Sequence, residues 1–220
     1  MRRISVLVLL ICLRLLLAAQ SKPGAFQSNK DADPQAKALL KQVKDNLNIE
    51  KGVEINFEFK YTAAESKPTI EKGKVEIKGK KFHLTLGEQE ILSDQKTLWP
   101  YLKKRNEVQL QNAEGIDDDP LSPFKLLQIH DSPDFTYILN GETKTSASIE
   151  FKPLDKNADF FKVKADIDKS KKQYKRLVLY LKNGDLYELN VAAIAKKTLN
   201  DEIFTPDLKK YPGAKVEDLR

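Results

Sequence analysis

Thiol and imidazole chemistry is nearly missing from this chain. Its 220 residues include one cysteine, Cys12, and two histidines, His83 and His130. Cys12 lies inside an N-terminal apolar run, so the remainder of the chain has neither a cysteine nucleophile nor a disulfide partner. A bulky Ile11 precedes it, where lipid attachment would want a small residue. The two histidines are far apart and show no H-E-x-x-H spacing, which argues against a zinc site. No serine sits in a G-x-S-x-G turn, and no glycine-rich loop could cradle a phosphate. Asp117 to Asp119 lack the alternating ligands of a calcium loop and suit the approach to a helix N-terminus. The chain is therefore expected to be no enzyme and to need no cofactor or metal.

Charge of one sign is also missing. Basic residues number 38 and acidic residues 32, and they are interspersed as on a solvated surface. No basic block is interleaved with aromatics, so nucleic-acid binding is not expected. Hydrophobic residues make up 40%, enough for a core that must supply the stability without disulfides.

The first twenty residues differ from the rest. Arg2 and Arg3 precede an apolar run from Ile4 to Leu17, broken only by Ser5, Cys12 and Arg14, and Ala18-Ala19 follow. That order is a secretory signal peptide, too short and interrupted for a spanning helix. Cleavage after Ala19 or Gln20 removes Arg2, Arg3 and Arg14, and no acid precedes residue 21. The expected organisation is a signal peptide over 1–20, a polar flexible segment over 21–32 and one domain over 33–220.

Within that domain Asp33-Pro34 starts a helix, with an oxygen-bearing cap followed by proline at the first helical position. Ala36, Leu39, Leu40, Val43 and Leu47 then form one apolar stripe. The period changes to two at Val53, Ile55, Phe57, Phe59 and Tyr61. Val75-Ile77, Phe82-Leu84-Leu86, Ile91, Leu98 to Leu102 and Val108 to Leu110 continue as short strands between polar turns. His83 alternates with Phe82 and Leu84, which places it on a wet face. Ser122-Pro123 opens a second helical signal through Phe124, Leu126 and Leu127. Strands resume from Phe135, Ser146, Phe160, Leu177 and Leu186, with an Asn183-Gly184 hairpin signal between the last two.

The fold class expected is mainly β with some helix: a strongly curved antiparallel sheet of about eleven strands. An unclosed barrel of this kind, its concave apolar face lidded by helices, leaves a hollow suited to binding.

The segment Glu90-Ile91-Leu92-Ser93-Asp94-Gln95-Lys96-Thr97-Leu98-Trp99-Pro100-Tyr101 resembles the I-L-x-S-D-G-K-T-L-W-x-Y signature of LolA-like proteins, the periplasmic outer-membrane lipoprotein carriers. Ser122-Pro123-Phe124-Lys125-Leu126-Leu127 is similar to that family's second helix. Phe204-Thr205-Pro206 and Pro212-Gly213-Ala214-Lys215-Val216 resemble its last strand and exit. The resemblance spans about residues 33 to 220. It implies a monomeric periplasmic carrier that takes acylated lipoproteins from an inner-membrane ABC release complex to an outer-membrane receptor or membrane surface.

The dry strand faces and helix stripes give the cargo-facing set expected: Phe57, Phe59, Leu84, Leu86, Trp99, Tyr101, Leu126 and Leu127. The family has a lid-binding arginine near the turn after the second strand, and this sequence has Gly79 there, between Lys78 and Lys80. Two other readings stay open at this point. The same fold could carry or sense a free lipid or pigment, or it could serve as an envelope scaffold.

Overall fold

The computed structural model describes residues 32–114 and 127–220. The signal peptide, the Asp117–Asp119 run and the second helical signal from Ser122 to Leu126 lie outside the described residues.

A helix, α1 (Pro34–Leu47), comes first. Asp33 caps it, its Oδ1 accepting from the Gln35 backbone N–H at 2.8 Å. Asn48 ends it in the left-handed conformation, φ 45°. The residues the helix buries are Ala36, Leu40, Val43 and Leu47, one stripe at three- and four-residue spacing.

Twelve strands follow: β1 (Val53–Thr62), β2 (Thr69–Lys78), β3 (Lys81–Leu86), β4 (Gln89–Ser93), β5 (Thr97–Leu102), β6 (Glu107–Asn112), β7 (Phe135–Glu142), β8 (Ser146–Pro153), β9 (Phe160–Asp168), β10 (Gln173–Leu181), β11 (Leu186–Lys196) and β12 (Lys215–Asp218). They form one sheet in the order β12-β6-β5-β4-β3-β2-β1-β11-β10-β9-β8-β7. Two meanders, β1 to β6 and β7 to β11, thus join where β1 pairs antiparallel with β11. The sheet does not close, because β7 and β12 are its two edges. Every pairing is antiparallel except β12 with β6, which is parallel. The closing segment reaches β12 from outside the meander, so no hairpin dictates its direction.

The core lies on one face of the sheet. Val53, Ile55 and Phe57 of β1, Val75 and Ile77 of β2 and Phe82, Leu84 and Leu86 of β3 are all buried in it. Ile149, Phe151, Val163, Ala165, Ile167, Leu177, Leu179 and Leu189 continue the same cluster across β8 to β11. Helix α1 packs on this face over β7 and β10.

Asp33 also ties the helix to the β7 edge. Its backbone N–H donates to the Tyr137 carbonyl at 3.1 Å, and its Oδ2 accepts from the Leu139 N–H at 3.1 Å. Those backbone bonds, Leu139 first, hold the Asp33 carboxyl below the usual carboxylate range. A depressed pKa stabilises the fold above the unfolded value, and that contribution is lost as pH falls through the folded one. Asp33→Ala should lower the thermal midpoint by about 3 °C and speed amide exchange in the first turn of α1. An unchanged exchange rate there would refute the tie.

Candidate functional site

The concave face under α1 is where the apolar residues of both meanders meet. Phe57 is 2% exposed, Leu84 9% and Leu86 4%, and Leu127 is fully buried in the same cluster. Phe59 is partly buried and packs against that core. Five of the eight residues expected from the sequence, Phe57, Phe59, Leu84, Leu86 and Leu127, therefore share one surface. Leu126 lies outside the described residues.

Trp99 and Tyr101 are placed differently. Phe82 pairs with Ser93, and Ser93 pairs with Leu98, so Leu98 shares the core face with Phe82. Trp99 pairs with Leu92 and Tyr101 with Glu90, on the opposite face. Strand β5 reads Thr-Leu-Trp-Pro-Tyr-Leu, apolar in both phases, so alternation alone could not choose its inner face. The outer face is apolar here because the C-terminal segment covers it. Phe204 of that segment is fully buried, and the Tyr101 and Tyr211 rings lie 4.5 Å apart.

Two ionic ties hold this strap. Lys78 and Lys81 each reach Asp201 at 2.8 Å, and they hold its carboxyl down to about 2. Lys78 Nζ also donates to the Leu199 carbonyl at 3.0 Å. Lys78 is thus bound to the strap, and the helix-end tie at this turn is a backbone bond instead. Gly79 N–H donates to the Ile49 carbonyl at 2.9 Å, just beyond α1.

His83 lies on the outer face, as its alternation predicts, but in a pocket rather than on open surface. Its Nε2 is 2.8 Å from Glu90 Oε1 and its Nδ1 3.4 Å from Glu76 Oε2. Contact with His83 is the main cause that holds the Glu90 carboxyl low. The strap roofs these groups to leave a cavity of about 250 Å³, whose lining includes Lys74, Asp207, Lys210 and Tyr211. Among the described residues, no group of three or more His, Cys, Asp or Glu side chains could hold a metal ion.

Residues beyond the expected set complete the concave face. The rings of Phe59 and Tyr187 stack at 5.7 Å, and those of Tyr61 and Tyr187 at 5.1 Å. Tyr61 donates to Asp185 Oδ2 at 2.9 Å, and burial together with this carboxylate raises the phenol to about 12. Tyr61 was visible in the β1 alternation. Alternation alone does not mark Tyr187, because only the β1–β11 register sets it opposite Tyr61. At the C-terminal end of α1 a second cavity, about 450 Å³, is lined by Leu47, Ile49, Gly79, Gln128 and His130 among others. Burial lowers the His130 pKa and so favours its neutral form there.

Among the described residues, the apolar side chains of α1 and of both meanders thus form one continuous cluster between helix and sheet. Curated protein sequences yield no match. The structure is similar to an uncharacterized conserved protein from Thermus thermophilus, with a TM-score of 0.55 and 14% identity. That match covers 84% of this chain and 99% of the other. A LolA superfamily protein from Nitrosomonas europaea aligns at 14% identity and TM-score 0.43, covering 78% of this chain and 98% of that one. LprF from Mycobacterium bovis aligns at 9% identity and TM-score 0.41, covering 77% and 98%. The family model for "Outer membrane lipoprotein carrier protein LolA" matches residues 49–207. With most of the sequence inside that match, this chain belongs to the LolA family.

Proposed function

We propose that this protein is a non-enzymatic periplasmic carrier that binds the acyl chains of lipoproteins on its concave face. It moves them from the inner to the outer membrane. An inner-membrane ABC release complex would load it, and an outer-membrane receptor or the membrane surface would unload it. The signal-peptide pattern of residues 1–20 supports export. The observation that carries the reading is the continuous apolar face from β1–β3 to β8–β11 under α1, in a chain of this family.

The physical need is clear. Each buried methylene contributes about 0.8 kcal/mol, so several acyl chains could reach tens of kcal/mol. Non-covalent affinity levels off near roughly −18 to −21 kcal/mol. A carrier that must release its cargo should therefore realise only part of the available burial. A helix joined to the β2–β3 turn by the Gly79 backbone bond, with no side chain at that position, suits reversible opening.

Calorimetry with a triacylated lipopeptide and its non-acylated twin tests the proposal. Saturable binding of the acylated form alone is expected, and equal binding of the two would refute carriage. Trp99 should report little of this loading, because it faces away from the core. A free lipid or pigment as natural ligand is the second reading, favoured by glycine at the lid turn. Lipid extraction from the purified protein followed by mass spectrometry separates the two.

A further inference from the structure

The concave face is not apolar throughout. On β6 the side chains of Glu107, Gln109 and Gln111 share one face, and the register identifies which. Leu86 pairs with Gln89, Gln89 with Leu102, and Leu102 with Glu107, so Glu107 is on the same face as buried Leu86. Likewise Gln111 pairs with Leu98, a core residue. These three residues form a polar rail about 13 Å long at two-residue spacing. Gln111 Nε2 donates to Gln109 Oε1 at 3.1 Å, and Gln109 Nε2 donates to Glu107 Oε1 at 2.7 Å.

Glu107 is 7% exposed and Gln109 8%. Among the described residues no cation pairs with Glu107, and its one hydrogen bond is from Gln109. A carboxylate taken out of water without a counter-charge is costly to the fold. The alternative use of the rail is to brace the edge of the sheet, but Gln or Leu would serve that without a charge.

We propose that Glu107 selects the head of the ligand: it accepts from an N–H donor, amide or ammonium, on an acylated molecule and disfavours a fatty-acid carboxylate. This rests on the acyl-carriage reading above. The rail presents acceptor capacity at Glu107, the end to which both glutamine amides direct their donors. A lipid whose chains lie on Leu84, Leu86 and Leu98 would bring its head to that strand. An N-acylated, amine-derived head supplies the donor, whereas a second carboxylate would meet like charge in a desolvated place.

Displacement of an apolar fluorescent probe from the full mature chain tests this, with a triacylated lipopeptide and palmitate as competitors. The wild-type protein should take the lipopeptide at least tenfold more tightly than palmitate. Glu107→Gln should tighten palmitate about tenfold, because the like charge is gone, and change the lipopeptide less than threefold. Glu107→Leu, with the rail cut, should weaken the lipopeptide while probe binding stays unchanged, which separates head recognition from a damaged fold. If wild-type protein binds both competitors equally, or the ratio survives Glu107→Gln, the head-selecting role is overturned and carriage stands. If wild-type protein binds the probe but not the lipopeptide, carriage itself fails and this role with it.

Discussion

Gly73→Ala should destabilise the protein by about 2–3 kcal/mol, although alanine is the better strand residue. Gly73 stands opposite Phe57 on β1 and opposite Leu86 on β3. A Cβ placed there would meet Phe57 Cζ at 2.4 Å, Cε2 at 2.5 Å and Leu86 Cδ1 at 3.1 Å. The Phe57 ring lies across the glycine and is 2% exposed, so it has no free volume to enter. Elsewhere in a strand, replacing glycine by alanine gains roughly 0.5–1 kcal/mol. The sign of the effect therefore reports the ring contact itself.

Urea unfolding checks it: the midpoint should fall with the slope unchanged. Phe57→Leu supplies the second test, because a smaller side chain makes room for the added methyl. In the double mutant at least about 1 kcal/mol of the Gly73→Ala loss should be recovered, a coupling within the range seen for residues in contact. Additive losses would mean that Phe57 does not rest on Gly73. Acyl binding should weaken in Gly73→Ala as well, since Phe57 and Leu86 both lie on the concave face.

The other large effect belongs to Gly52→Ala, expected to cost about 3–4 kcal/mol. Gly52 has φ +114°, a conformation that L side chains rarely adopt. Its Cβ would also lie 2.4 Å from the Lys197 carbonyl oxygen and 3.1 Å from Leu199 Cγ. Unlike the Phe57 ring, a backbone carbonyl cannot be trimmed by a second substitution. The Lys197 N–H donates to the Gly52 carbonyl at 3.0 Å, and the Gly52 N–H donates to the Ile49 carbonyl at 3.2 Å. Any shift that admits a methyl pulls on bonds linking the end of α1, the start of β1 and the end of β11. Thermal unfolding should show the loss, and no shrinkage of a neighbouring side chain should rescue it. Rescue by Leu199→Ala would show that the side chain, not the carbonyl, sets the limit.

Strand β1 was legible because its two faces differ. Val53 to Tyr61 alternate with Glu54 to Lys60, and only one phase can be buried. Helix α1 was legible from its Asp33-Pro34 start and single stripe, and the Asn183-Gly184 turn connects β10 to β11 as the pair predicts. Strands β5 and β6 were not legible in the same way. In β5 both phases are apolar. In β6, Val108 and Leu110 are the apolar phase, yet they sit on the outer side while Glu107, Gln109 and Gln111 face inward. The outward apolar positions have partners in the C-terminal strap, and Val108 is 1% exposed there. Local alternation reports contrast between two faces, and a segment from the far end of the chain had removed that contrast.

By its own periodicity and motifs the sequence determined the class of fold, the capped helix and the family. Those properties rest on short-range rules: side-chain direction repeats every two or 3.6 residues, and caps and turns require particular side chains. The tertiary structure decided which face of β5 and β6 is inner and that the strap roofs His83. It also decided that Gly73 must stay bare and that Glu107 is buried with no cation beside it among the described residues. Each depends on which distant strand lies opposite, and register is set by the burial of the whole sheet rather than by any one strand.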